Sequence, residues 1–430
     1  MLKNVTDIAI TADGWSSRAQ DTFISTSGHF IDNEWRIIEV QLQTSYFPES
    51  HTGANIKEKI AAALADMCPS ASPSMLVCDS ASNMVKASED LDFPRIACFA
   101  HQLQLCIKKP LEEDESIIAL LTKCRSLVNH FRHSTPAAAE LERMTKAQDL
   151  KTTCLVIDVV TRWNSTFDML LRLQQIGHLA NAVLRQKKRG DLALKDSDMN
   201  LIDRLVIVLA PIAGVTPLLS ASRYPTLSLI YPVTFTIIDS LREQASYTHS
   251  KLAQGIVKEM ESRILDVLDP TLAVATLLDP RFKSLKWLPH AHAWRETFKG
   301  HLLKSLNALP NLANPTKKRK REEIERSSIF DKLFEVEAEE MTLELELENY
   351  CKVKAKIADQ DGLLPWWKGN SGEFPNLAIL AKRVLAIPAT SVPVERFFSA
   401  GGLIVSHKRT ALSSTRVEML MFLSANIKHC

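Results

Sequence analysis

Apolar side chains recur at every second position in Asp7-Ile8-Ala9-Ile10-Thr11 and again in Ile38-Glu39-Val40-Gln41-Leu42, with the turn dipeptide Asp32-Asn33 between them. A period of two with a turn in the middle predicts an antiparallel meander that buries one face. Ile56, Ile60 and Leu64 then fall four apart behind Thr52 and Asn55, either of which would cap a helix. Met75-Leu76-Val77-Cys78 is a short unbroken apolar run ending at Asp79, as in a strand covered on both faces. Strands, helix and buried strand together predict a mixed α/β unit.

From Leu103 to Leu309 the period becomes helical, with apolar-rich segments such as Asp168–Leu184 and Met199–Leu219. Pro310–Ser328 holds Asn314-Pro315 and the run Lys317, Lys318, Arg319, Lys320, Arg321, and reads as an exposed loop. The glutamate-rich stretch Glu335–Glu348 follows, with a weaker helical pattern. Leu377, Leu380, Ala381 and Val384 make a stripe that stops at Pro388. Ser391 and Pro393 then open a helix containing Glu395, which Gly401-Gly402 ends, and Val417, Leu420, Met421 and Ile427 mark one face of a last helix. The expected division is a first core segment over 1–110, a helical domain over 111–370 with its loop near 310–328, and core completion over 371–430.

With 46% hydrophobic and 24% charged residues among 430, the composition is that of a globular chain of two or three packed units. No stretch reads as a membrane span and the first residues lack a signal pattern, so a soluble intracellular protein without a membrane partner is expected. Eight scattered cysteines and no Cys-x-x-Cys suit a reducing compartment and argue against a zinc finger complete within the chain. The net charge of +2 is unevenly spread: residues 1–100 carry 7 Lys/Arg against 13 Asp/Glu, and the rest carry 45 against 37. A basic surface for DNA must therefore come from the later part, while the acidic start suits a cation site or an ordinary solvated face.

Asp13 in Thr11-Ala12-Asp13-Gly14-Trp15 and Asp79 in Cys78-Asp79-Ser80 each close an expected strand. Two carboxylates at strand ends can share a hard cation such as Mg²⁺ or Mn²⁺, which keeps waters for a phosphate to displace. Spacing alone leaves open that they are ordinary strand-end residues.

Several motifs, in order, resemble the hAT transposases, particularly the branch that includes BED-type zinc-finger proteins. They are Thr11 to Trp15, Cys98-Phe99-Ala100-His101-Gln102-Leu103-Gln104-Leu105, Thr161-Arg162-Trp163-Asn164-Ser165-Thr166, Leu277-Leu278-Asp279-Pro280-Arg281-Phe282-Lys283, and the block from Ile387 through Ser399 to Leu423. The resemblance implies an RNase-H-like catalytic core interrupted by a large all-helical insertion domain. It also implies a third carboxylate at Glu395, completing a metal triad with Asp13 and Asp79. Such a triad serves a metal-dependent polynucleotidyl transferase, a transposase or nuclease that cuts and joins DNA with Mg²⁺ or Mn²⁺. The alternative is a domesticated, catalytically silent dimeric transcription regulator in the nucleus. Relatives of this branch carry a BED finger upstream, and the expectation here is a chain without one.

The residues expected to contact DNA are His101, Arg162, Trp163, Arg396, Lys408 and Arg409. Trp163 would stack on an unpaired base with Arg162 on phosphate, or else be a core tryptophan beside a structural arginine. Cys98 and His101 form a single Cys-x-x-His pair, which suits a buried thiol and a polar histidine better than a four-ligand zinc site. Lys317–Arg321 would serve nuclear localisation or phosphate contact. By the resemblance, Phe397, Phe398, Leu420, Met421 and Leu423 are expected at a homodimer or higher homo-oligomer seam or against the helical insertion of the same chain, the alternative being that they pack internally; Trp366-Trp367 with Phe374 are expected in core packing.

Overall fold

The computed structural model describes residues 2, 5–16, 21–248, 250–288, 291–309, 342–392 and 414–427. Five strands, β1 (Asp7–Ser16), β2 (Thr22–Ile31), β3 (Ile37–Tyr46), β4 (Ser72–Cys78) and β5 (Arg95–Ala97), form one sheet in the order β3-β2-β1-β4-β5. The first three are an antiparallel meander, and β4 joins β1, and β5 joins β4, in parallel. A parallel pairing needs a crossover. Helix α1 (Gly53–Met67), capped by the Thr52 hydroxyl on the Asn55 amide, makes the first one, and α2 (Ser82–Leu91) connects β4 to β5.

One sheet face is apolar. Ile8, Ile10 and Ala12 of β1, Ile24 and Phe30 of β2, and Val40 and Leu42 of β3 pack with Ile56, Ile60, Ala63 and Leu64 of α1, each isoleucine contributing about 1.5–3 kcal/mol on burial. Gly28 is needed there, because a Cβ would stand 2.5 Å from Ile8 Cδ1. The other face is polar yet buried. Thr11 Oγ1 meets His29 Nε2 at 2.9 Å, Ser27 donates to Gln41 Oε1 at 2.8 Å, and the Gln41 amide donates to Ser25 Oγ at 2.7 Å. Hydrogen bonding removes most of the desolvation cost of burying these groups.

The free edge of β3 is covered by the helix Ser414–Asn426. Asn426 accepts from the Gln41 amide at 3.0 Å and donates to its carbonyl at 2.9 Å, while Glu418 accepts from the Tyr46 amide. One helix thus supplies what a sixth strand would otherwise give, removing an edge open to pairing with other chains.

Residues divide into two compact units, Met1–Ala100 with Leu219–Pro232 and Leu268–Cys430, and His101–Leu218 with Val233–Val267. The second is helical, with α4 (Glu115–His133) capped by Asp114, α5 (Thr135–Ala147) capped by Ser134, and the long α6 (Trp163–Gln186) packed on the helix Asp196–Ala213. Among the described residues no strand follows β5. This grouping does not follow the expected 111–370 span, because the described residues from Leu268 on fall with the sheet unit. Periodicity shows that a segment is helical but not which neighbour buries its stripe. Asp196–Leu219 also proves long and apolar enough to span a membrane by length and composition, which revises the expectation of no such stretch. In the helical unit its Ile202, Leu205, Leu209 and Ile212 are buried.

Candidate functional site

The pairing Thr11↔Val77 between β1 and β4 fixes the geometry of the site. Two residues further along each chain stand Asp13, still within β1, and Asp79, just past the end of β4. Both line one open cleft of about 210 Å³ with Trp15, Phe47, His51 and Asn83.

Each carboxylate is held locally. Asp13 Oδ1 accepts from the Gly14 amide at 2.8 Å and Asp79 Oδ1 from the Ala81 amide at 3.1 Å, ahead of α2. Arg95 binds the Asp79 carbonyl at 3.3 Å. Below the pair, burial pushes the Cys78 thiol up to about 12, so it remains protonated near neutrality and offers the cleft no second anion. Asp13 does not close its strand as expected, because β1 pairs on through Ser16 with β2; Asp79 does follow the last residue of β4. Two carboxylates lining one cleft fit a hard divalent cation. No group of three His, Cys, Asp or Glu side chains with metal-binding geometry occurs among the described residues. Glu395, the expected third carboxylate, lies outside them, as do Arg396, Phe397, Phe398, Lys408, Arg409 and Lys317 to Arg321.

In the sheet unit, Ala389 to Ser391 lead toward Glu395 and are tightly placed. The Phe99 amide donates to the Ala389 carbonyl at 3.0 Å, the Ala389 amide to Thr226 Oγ1 at 3.0 Å, and the Ser391 amide to Cys98 Sγ at 3.3 Å. Cys98 is fully buried and acts as an acceptor in this joint.

The helical unit holds His101, Arg162 and Trp163. Arg162 is exposed at the start of α6, and His101 is half-buried on α3 (Phe99–Glu113). Trp163 is 5% exposed, and its amide donates to Gln104 Oε1 at 2.9 Å. The indole lies in the wall of a second cavity of about 210 Å³ with Gln104, Lys108, Arg125, Val160 and Thr166. Arg125 is locked to Asp158 at 2.7 Å; burial pushes that aspartate up, but the Arg125 hydrogen bonds and charge win and hold its carboxyl below the usual range.

Of the expected seam residues described, Leu420 is 38% and Leu423 60% exposed, whereas Met421 is 3% exposed and packs with Phe23 and Val417. Met421 therefore belongs to the chain's own core. Val417, Met421 and Ala425 repeat every four residues and form the inner stripe. Met419, Leu420, Leu423 and Ile427 form the outer one. Trp367 and Phe374 are buried with Tyr350, as expected of an aromatic anchor. The sequence reading missed His51, Asn83 and Phe47 as cleft residues. A signal did exist, since Thr52 marks where α1 begins and hence where its approach loop ends.

Three family models match in succession: the ZBED1 RNase-like domain over residues 11–94, the ZBED1 RNase-like helical domain over 96–204, and the hAT family C-terminal dimerisation region over 346–427. "Putative AC transposase" of Zea mays is 26% identical, the match covering 96% of this chain and 55% of that protein. "Putative transcriptional regulator tpeD" of Talaromyces stipitatus is 23% identical over 98% of this chain and 54% of its own length. "Zinc finger BED domain-containing protein 4" of Homo sapiens is 24% identical over 82% and 31%. The chain spans about half the length, or less, of these relatives.

Proposed function

Because the chain belongs to the hAT superfamily of transposases and transposase-derived proteins, we propose that its sheet unit is a metal-dependent DNA strand-cleavage and transfer centre. The observation that supports this reading is that Asp13 and Asp79, on neighbouring segments of an RNase-H-like sheet, line one open cleft. Asp13 and Asp79 would hold Mg²⁺ or Mn²⁺, with Glu395 as third ligand. A bound ion supplies acidification of an attacking water or 3′-hydroxyl and charge neutralisation on the leaving oxygen. The attacking oxygen forms its bond to phosphorus as the 3′-oxygen–phosphorus bond breaks, and no side-chain nucleophile takes part. His101, Arg162, Trp163, Arg396, Lys408 and Arg409 would contact DNA. Lys317 to Arg321 would direct the protein to the nucleus.

We further read the chain as a homodimer whose seam includes the outer stripe of the C-terminal helix, Leu420 and Leu423 together with Met419 and Ile427. That stripe is exposed while the opposite stripe is occupied. The second functional reading, a catalytically silent regulator, draws on the name of the Talaromyces relative.

Nicking of labelled duplex DNA by the full chain in Mn²⁺ separates the two. Catalysis predicts nicking that an Asp79→Asn variant loses by at least about 10³-fold, in line with removal of a metal ligand. DNA binding and dimerisation without nicking would leave the regulator. Changing Leu420 and Leu423 together to Glu should yield a monomer in light scattering with unchanged circular dichroism. A dimer that survives this change would move the seam elsewhere.

A further inference from the structure

We propose that His51 is a DNA-phosphate ligand of the cleft, its imidazole N–H donating to a non-bridging oxygen of the strand that Asp13 and Asp79 face. The inference rests on reading the cleft as a DNA-cleaving site, and deepens it by naming a substrate contact.

The cleft has an electrostatic problem that His51 is placed to relieve. Two carboxylates in one cleft repel a polyanion, and a divalent ion offsets that at the reacting phosphorus but does not orient the strand. Asp13, Asp79, Asn83 and His51 are the polar side chains of the lining, and His51 is the one among them that can carry positive charge. Lys59, whose ammonium lies 5.9 Å from the Phe47 ring centroid, is not among the lining residues and pairs with Glu49 at 3.6 Å.

His51 is also oriented before any ligand arrives. Its ring stacks on Phe47 with centroids 4.6 Å apart and planes 4° from parallel. The Asn83 side-chain amide, from α2, donates to the His51 carbonyl at 2.9 Å. Asn55 holds the preceding carbonyl of Ser50 at 2.8 Å, and Thr52 next in line caps α1. The residue is nonetheless exposed. An exposed side chain stacked on a neighbouring ring, with its backbone held and in a cleft it shares with two carboxylates, is arranged to meet a ligand. The competing account is that the ring merely shields Phe47.

His51→Phe keeps the stack and removes the donor, whereas His51→Gln keeps an N–H donor and shortens the stack. Binding of a fluorescent duplex is measured by anisotropy in Ca²⁺ between 50 and 200 mM salt, at about pH 6, and nicking is measured in Mn²⁺. His51→Phe is expected to bind about tenfold more weakly at the lowest salt, with a log–log salt slope smaller by about 1. It should nick at least about tenfold more slowly, with part of either loss restored in His51→Gln. His51→Phe that binds and nicks like the unmodified protein overturns the proposal. Asp79→Asn separates this from the parent reading: if it nicks normally, the metal centre fails, and the His51-dependent salt slope still decides the phosphate contact. Should the unmodified protein not nick, the slope decides in the same way, and a slope unchanged by His51→Phe sinks the contact.

Discussion

Asp79 and Asp279 both follow largely apolar runs, Met75–Cys78 and Leu272–Leu278, yet their surroundings are opposite. Asp279 is fully buried and accepts from Ser228 Oγ at 2.9 Å, from the Arg281 amide at 3.1 Å, and from Arg281 Nε and Nη2 at 2.9 and 2.6 Å. The chain around it is equally committed: Tyr350 donates to the Leu277 carbonyl and Trp367 to the Leu278 carbonyl. Asp79 is half-buried, and its carboxylate takes one bond, from Ala81. A carboxylate with both oxygens engaged inside the protein is part of the architecture. One with lone pairs facing a cleft is available to a ligand.

The comparison breaks first, and with the largest effect, at Asp279. Its replacement by Ala leaves the Arg281 guanidinium without its anion, and loss of one partner from a buried pair costs about 3–5 kcal/mol. Urea denaturation of the Asp279→Ala variant should register a loss in that range. A loss below about 1 kcal/mol would mean that Arg281 finds solvent easily and that Asp279 is no keystone.

Lys283, four residues on, sharpens the same side of the comparison with a smaller effect. It is buried, donates to the Tyr350 carbonyl and lies 4.1 Å from the Tyr350 ring centroid. Burial pushes its ammonium down to about 8. A depressed lysine releases its proton in the folded protein before it does so in the unfolded chain, which holds it to about 10.4. Stability from this group therefore rises as pH climbs from about 8 toward about 10.4. The difference in unfolding free energy between the unmodified protein and Lys283→Met should change across that window, to the advantage of the unmodified protein. Parallel profiles would show that Lys283 titrates normally.

What was legible in the sequence follows the same division. The meander and α1 were readable because their apolar side chains fall on one face, so that the period survives in the residues, and β4 because a strand buried on both faces is an unbroken apolar run. Asp79 was readable because it ends such a run, whereas Asp13 lies inside β1 and its strand runs on to Ser16. The polar face of the sheet was not: Ser25, Ser27 and Gln41 look solvent-facing in the sequence, and only cross-strand hydrogen bonds make their burial tolerable. Met421 was misgrouped with Leu420 because adjacent apolar residues on a helix point in different directions, and position relative to Phe23 decides which is inside. His51 carries no pattern, since its place in the cleft depends on an asparagine 32 residues away.

The smallest effect belongs to Asp79 itself, and it is the most discriminating. If its carboxylate is kept for a ligand, the fold gains little from it. It accepts one amide hydrogen bond, which an Asn side-chain oxygen can also accept, and it shares its cleft with Asp13. Like charges sharing a cleft disfavour the compact state, more so at low salt. Asp79→Asn should therefore leave metal-free stability within about 0.5 kcal/mol of the unmodified protein, or raise it slightly. With millimolar Mg²⁺ or Mn²⁺ the order should reverse, because an ion bound only by the folded form stabilises it by an amount set by its concentration relative to Kd. The unmodified protein should then melt at a higher temperature and the variant should respond less. A variant already destabilised by 2 kcal/mol without metal would make Asp79 an architectural residue like Asp279, and equal metal responses would remove the cation from the cleft.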